Sequence, residues 1–107
     1  MELLQYSHFK TATELEAAFN KHLAENGDRL NKSDFAVLDL IRDASLEDGA
    51  AHMTHTSMAE ATGKSLSTVR RAIRKLEKLG FIERAHYIQP VVNGLGANIY
   101  MVLPYHV

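Results

Sequence analysis

Six cations stand between positions 64 and 78 of this chain, Lys64, Arg70, Arg71, Arg74, Lys75 and Lys78, against the single anion Glu77. Guanidinium and ammonium groups grip phosphate oxygens, and a guanidinium can also pair in fork geometry with the N7 and O6 acceptors of guanine. The apolar residues between them, Leu66, Val69, Ile73, Leu76 and Leu79, have the spacing of one buried helical stripe. At about 100° per residue, Ser67, Arg71, Arg74 and Lys78 fall on the opposite side, with Arg70 and Lys75 flanking them. A helix held down by one face and basic on the other suits a DNA major groove better than it suits a plain solvated surface.

Other constellations carry less. His52-x-x-His55 has a spacing some metal sites use, but the pair falls on a strand or loop, no third ligand is near, and the chain has no cysteine. Asp43, Glu47 and Asp48 lack the calcium-loop spacing and read as a charged turn. Gly94-x-Gly96 is not followed by a helix, so it is no phosphate-binding fingerprint. No nucleophile elbow or paired acid and base stands out among the serines and histidines. No enzyme activity, cofactor, metal or small-molecule ligand is therefore expected.

A basic helix needs a body to hold it. The 107 residues, 46% of them apolar, fit one domain with one modest core. No segment is long enough to cross a membrane and no secretory signal is visible. The absence of cysteine fits a reducing compartment, so the expected location is cytoplasmic. The net charge of −1 averages two unlike halves. Residues 1–63 carry five Lys/Arg against eleven Asp/Glu, a balance of −6, and residues 64–107 carry seven against two, a balance of +5. A duplex responds to the field within a Debye length of roughly 8–10 Å, so the basic half can dock while the acidic half faces away.

Residues 1–10 lack a clear period and read as a loose arm or a short packing segment. Thr11-x-x-Glu14 and Thr13-x-x-Glu16 are capping-box patterns opening an amphipathic helix with Leu15, Ala18, Phe19, His22 and Leu23 on one face. Asn26-Gly27-Asp28 is expected to end it with a left-handed glycine. Asn31 or Ser33 caps a second helix running to about Ala44, with Phe35, Val37, Leu38, Leu40 and Ile41 as a wide core band. Asp34, Asp39 and Asp43 fall on its solvated side, and residues 45–50 read as a turn. His52-Met53-Thr54 has room for a short strand, and Ser57-x-x-Glu60 caps the helix that follows. Gly63 supplies a turn, Ser65 or Ser67 caps the basic helix, and Gly80 closes it. Phe81 to Ile88 and Asn98 to Leu103 read as paired strands around Gln89 to Ala97, a loop with proline and glycine turn chemistry.

The run Ser57-Met-Ala-Glu-Ala-Thr-Gly-Lys-Ser-Leu-Ser-Thr-Val-Arg-Arg-Ala-Ile-Arg-Lys-Leu-Glu-Lys-Leu-Gly-Phe-Ile resembles the helix-turn-helix of bacterial winged-helix DNA-binding proteins. The likeness rests on small Ala59 inside the first helix, the Gly63 turn, the Ser-x-Ser-Thr-Val lead into the second helix, and the Leu-x-x-Leu-Gly-Phe-Ile exit into a strand. With its flanking helix and hairpin it covers about residues 31–104. The resemblance implies a mostly α fold with a small β-hairpin (α+β), a winged helix-turn-helix over 31–107 with residues 1–30 as an N-terminal arm and accessory helix. The basic helix then becomes a recognition helix. Ser67, Thr68 and Arg71 would reach base edges, with Arg71 the candidate for guanine. Thr56, Ser57, Lys64, Ser65, Arg70, Arg74, Lys75, Lys78 and Arg84 would contact phosphates.

The wing departs from the family pattern, because Gln89 to Ala97 contains no cation and Arg84 and His86 are the nearest basic candidates. Double-stranded DNA is the expected partner. One domain offers few base contacts, so a homodimer on an inverted repeat is expected. Leu15, Ala18, Phe19 and Leu23 are the candidate pairing stripe, although the same stripe can instead cover its own core. A small bacterial, plasmid or phage transcription regulator is the leading reading. A replication-initiation or DNA-partition accessory protein is the alternative on the same domain. A winged helix used only for protein contact, with the apolar wing and acidic half as surfaces, is the alternative of another class. No length remains for a ligand-sensing domain, so control is expected to come through expression, partners or oligomerisation.

Overall fold

The computed structural model describes residues 3–85 and 97–105. In chain order it comprises α1 (Ala12–Asn26), α2 (Lys32–Asp48), β1 (Ala51–Met53), α3 (His55–Thr62), α4 (Leu66–Lys78), β2 (Ile82–Ala85) and β3 (Asn98–Val102), with 3₁₀ turns at Leu3–Tyr6 and Gly27–Arg29. No helix among the described residues is long and apolar enough to cross a membrane.

Each long helix begins where a short polar side chain captures a free backbone N–H. The Thr11 hydroxyl accepts from the Glu14 N–H at 3.2 Å, and Ser65 accepts from Thr68 at 3.1 Å. Asn31 and Asp34 cap each other reciprocally, the Asp34 N–H to Asn31 at 2.9 Å and the Asn31 N–H to Asp34 at 3.0 Å. Three expected boundaries move. The cap of α3 is Thr54, which accepts from the Ser57 N–H at 2.9 Å, so Ser57 lies inside the first turn and is not the cap. Gly27 stays right-handed at φ −61°, so α1 passes directly into a 3₁₀ turn without a left-handed exit. Residues 45–48, read as a turn, continue α2, and Gly49 at φ +97° provides its left-handed stop.

The strands form one antiparallel sheet in the order β1-β3-β2, with Tyr100 facing Ala51 on one side and Arg84 on the other. The expected hairpin is thus completed by a third strand. The expected continuation of its first strand to Ile88, the loop from 89 to 96, and His86 lie outside the described residues.

All of Ile99, Tyr100, Met101 and Val102 are buried, because both faces of β3 are covered. On one face, Tyr100 and Val102 join Val37, Leu38 and Ile41 of α2 and Val69, Ala72, Ile73 and Leu76 of α4. On the other, Ile99 and Met101 meet Ala50, with Leu3 and Tyr6 packed against them. Of the N-terminal residues, Leu3, Tyr6 and Phe9 therefore pack against the body of the domain. Gly49 permits that course, since a Cβ there would stand 2.9 Å from the Leu4 Cα.

The apolar stripe of α1 turns inward. Leu15 and Phe19 belong to the same core as α2 and α4, Ala18 is buried, and Leu23 packs against the cluster. The Arg42 guanidinium lies 4.9 Å from the centre of the Phe19 ring. Burying a side chain of this size is worth about 1.5–3 kcal/mol, and the stripe gains it within its own chain. Of the four residues considered for pairing with a second copy, Leu15, Ala18 and Phe19 are thus buried within their own chain and Leu23 is partly buried.

Candidate nucleic-acid interface

Helix α4 buries Val69, Ala72, Ile73 and Leu76 and exposes Leu66, Ser67, Arg70, Arg71, Arg74 and Lys78. Leu66 is a correction to the sequence reading, which placed it in the buried stripe. It is 39% exposed and belongs to neither core cluster. At about 100° per residue it stands roughly 70° from the centre of the buried stripe, where Ala72 and not Leu66 completes the packing.

Two backbone devices aim the helix. Gly63 takes φ +71°, with its N–H on the Ala59 carbonyl at 2.9 Å and the Lys64 N–H on the same oxygen at 3.2 Å. Nothing lies within 4 Å of where its Cβ would be, so the backbone alone calls for glycine. At the other end the Gly80 N–H bonds the Glu77 carbonyl at 3.1 Å and the Phe81 N–H the Leu76 carbonyl at 3.0 Å. That paired closure sends Phe81 and Ile82 into the core and starts β2.

The candidate DNA-contacting cations differ in whether they are already paired. Lys75 donates to Asp34 Oδ2 at 2.8 Å, and Arg84 donates to Glu77 Oε1 at 3.0 Å while lying 5.7 Å from the centre of the Tyr100 ring. Arg70, Arg71, Arg74 and Lys78 are exposed and have no ion pair among the described residues. Lys64 is half-buried in the turn. Asp34, expected on the solvated face of α2, is instead buried, because its carboxylate closes the α2 cap and meets Lys75. A polar cleft of about 330 Å³ between the start of α2 and α4 is lined by Asn31, Ser33, Asp34, Thr68, Arg71 and Lys75.

The hydroxyl candidates also differ from one another. Ser67 is exposed and Thr68 half-buried, its Oγ1 accepting from the Ser65 cap hydroxyl at 2.9 Å. Thr56 and Ser57 are exposed in the first turn of α3, the Ser57 Oγ accepting from Thr54 at 2.9 Å.

A polar network missed by the sequence reading braces the site from the sheet side. His55 Nε2 lies 2.8 Å from the Tyr100 hydroxyl, which also accepts from Asn98 Nδ2 at 3.2 Å. Burial, then the charges of Arg84 and Arg70, hold the His55 pKa below its usual value against the opposing pull of Glu77. In its Nδ1–H tautomer the neutral ring accepts the hydrogen bond of the Tyr100 hydroxyl, whose oxygen receives Asn98. Spacing gave no sign of this network, because His55 and Tyr100 are joined only through strand pairing and the packing of α3.

The sequence pattern of a family described as winged helix-turn-helix DNA-binding matches residues 30–83, from the cap of α2 into β2. No curated protein and no solved structure matches the chain.

Proposed function

The chain belongs to the winged helix-turn-helix DNA-binding family, and from that premise we propose that it recognises specific duplex sequences as a small transcription regulator, with α4 in the major groove. One observation carries the reading: Arg70, Arg71, Arg74 and Lys78 are exposed on a helix whose opposite face is fully buried. In this reading Ser67, Thr68 and Arg71 face base edges, and Arg71 pairs with a guanine. Arg70, Arg74, Lys78 and Lys64 hold phosphates, and Thr56, Ser57 and Ser65 meet the backbone near helix starts. Lys75 and Arg84 act mainly by fixing α4, because their charges are already paired with Asp34 and Glu77.

A single α4 provides few base contacts, so the proposed working complex is two copies on an inverted repeat. The burial of Leu15, Ala18 and Phe19 in each chain's own core favours assembly on the half-sites over assembly through that stripe. Selection of bound duplexes from a random pool tests the reading. A symmetric motif, whose placement over a promoter changes transcription in vitro, is the expected result. Recovery of no sequence above background would overturn it.

A further inference from the structure

We infer that Leu66 reads the C5-methyl group of a thymine in the major groove, an assignment that rests on the DNA-binding reading above. Leu66 and Leu4 are the large apolar residues exposed among the described residues, at 39% and 66%. They differ in setting. Leu4 lies in the N-terminal segment beside Gly49, the glycine that ends α2. Leu66 is the first residue of α4, next to the Ser65 cap and exposed Ser67, and one turn ahead of exposed Arg70.

At about 100° per residue, the exposed residues of α4 span one arc from Leu66 through Arg70, Arg74 and Ser67 to Lys78 and Arg71. Leucine is thus an edge of the same surface that carries the cations, at the end of the helix that enters the groove. A protein partner fits this spot poorly, since its apolar group would have to sit among guanidinium groups. In the major groove the thymine methyl is the one alkyl group on a base edge. Guanine, adenine and cytosine present donors or acceptors there, which a leucine would cover without bonding. Leu66 therefore adds a preference for thymine next to the base read by Arg71 or Ser67.

The test replaces each thymine of the selected duplex by uracil, one at a time, which removes the methyl and keeps every base-edge hydrogen bond. Wild-type protein is expected to lose about fourfold in affinity at one position per half-site, the value of one buried methyl-sized group. Leu66→Ala should bind the thymine duplex with a similar loss and no longer distinguish thymine from uracil there, while Leu66→Met should retain the distinction. Wild-type binding that is indifferent to uracil at every position overturns the assignment without involving any variant. So does a folded Leu66→Ala protein that keeps the full distinction. Failure of wild-type protein to retain any duplex overturns the DNA reading itself, and is separate from binding that ignores the methyl.

Discussion

Lys75 Nζ lies 2.8 Å from Asp34 Oδ2, and the same oxygen accepts the Asn31 N–H at 3.0 Å, so one buried carboxylate both caps α2 and fastens α4 to it. The lysine side chain is 38% exposed and the carboxylate 5%, which leaves the pair partly screened. It ties α4 to the start of α2 beside the apolar packing of Val69, Ala72, Ile73 and Leu76.

Lys75→Ala should therefore lower stability by about 1–2 kcal/mol, a loss set by the half-satisfied Asp34 and reduced by screening at the lysine. Its effect on affinity for random duplex should be smaller than that of Lys78→Ala. Urea unfolding and fluorescence anisotropy on the same variants check the order. A reversed order would show that Lys75 holds a phosphate.

Arg71→Ala should weaken binding to the selected site by roughly 1–3 kcal/mol and relax the preference at one base pair. Lys78→Ala should weaken all duplexes by similar amounts. Equal, sequence-blind losses from the two substitutions would remove Arg71 from base reading.

Phe19 is 2% exposed, so Phe19→Ala should lower stability by about 3–5 kcal/mol with no change of mass in solution. Sedimentation of the native chain without DNA should give the mass of one copy. A native mass of two copies that halves on substitution, with stability preserved, would return the α1 stripe to a pairing role.

Local signals locate the starts of α1, α2 and α4 and the glycine stops at 63 and 80, because caps and turns act within a few residues of themselves. Spacing leaves Thr11 beside Thr13, Asn31 beside Ser33 and Ser65 beside Ser67, and the backbone hydrogen bonds choose the first of each pair. The stripe of α1 announced a buried face, but spacing says only that a face is apolar and not whose surface covers it. Asp34 looked solvated because its partner Lys75 lies 41 residues away. Thr54 and Ser57 are both hydroxyls able to open α3, and the backbone hydrogen bond alone chooses Thr54. Leu66 sits at the edge of its stripe, where a helical wheel does not decide between core and solvent.

Acid should destabilise the fold through two histidines. Burial lowers the His22 pKa against the opposing bond from its Nε2 to the Leu103 carbonyl at 2.8 Å, and its Nδ1 finds no partner among the described residues. His55 is lowered as well, by burial and then by Arg84 and Arg70. In each case the unfolded chain binds the proton more readily. The contribution to stability is thus complete above about pH 6.5 and is lost as pH falls from there through the lowered folded values. The urea midpoint should hold between pH 7 and 8 and drop from pH 6.5 to 5, with a shallower drop in His22→Gln. A wild-type midpoint that stays flat to pH 5 would contradict this.

The claim that α4 is the DNA-binding element is tested most directly by the salt dependence of duplex affinity. At about 0.9 per phosphate contact, Arg70, Arg74, Lys78 and Lys64 predict a slope of log K against log salt near −3.6 for each bound domain. The triple variant Arg70→Ala, Arg74→Ala, Lys78→Ala alters exposed positions only and should stay folded. Its slope should fall to roughly −1. Absence of wild-type binding at about 50 mM salt, or a slope that the triple variant leaves unchanged, would contradict the assignment of α4.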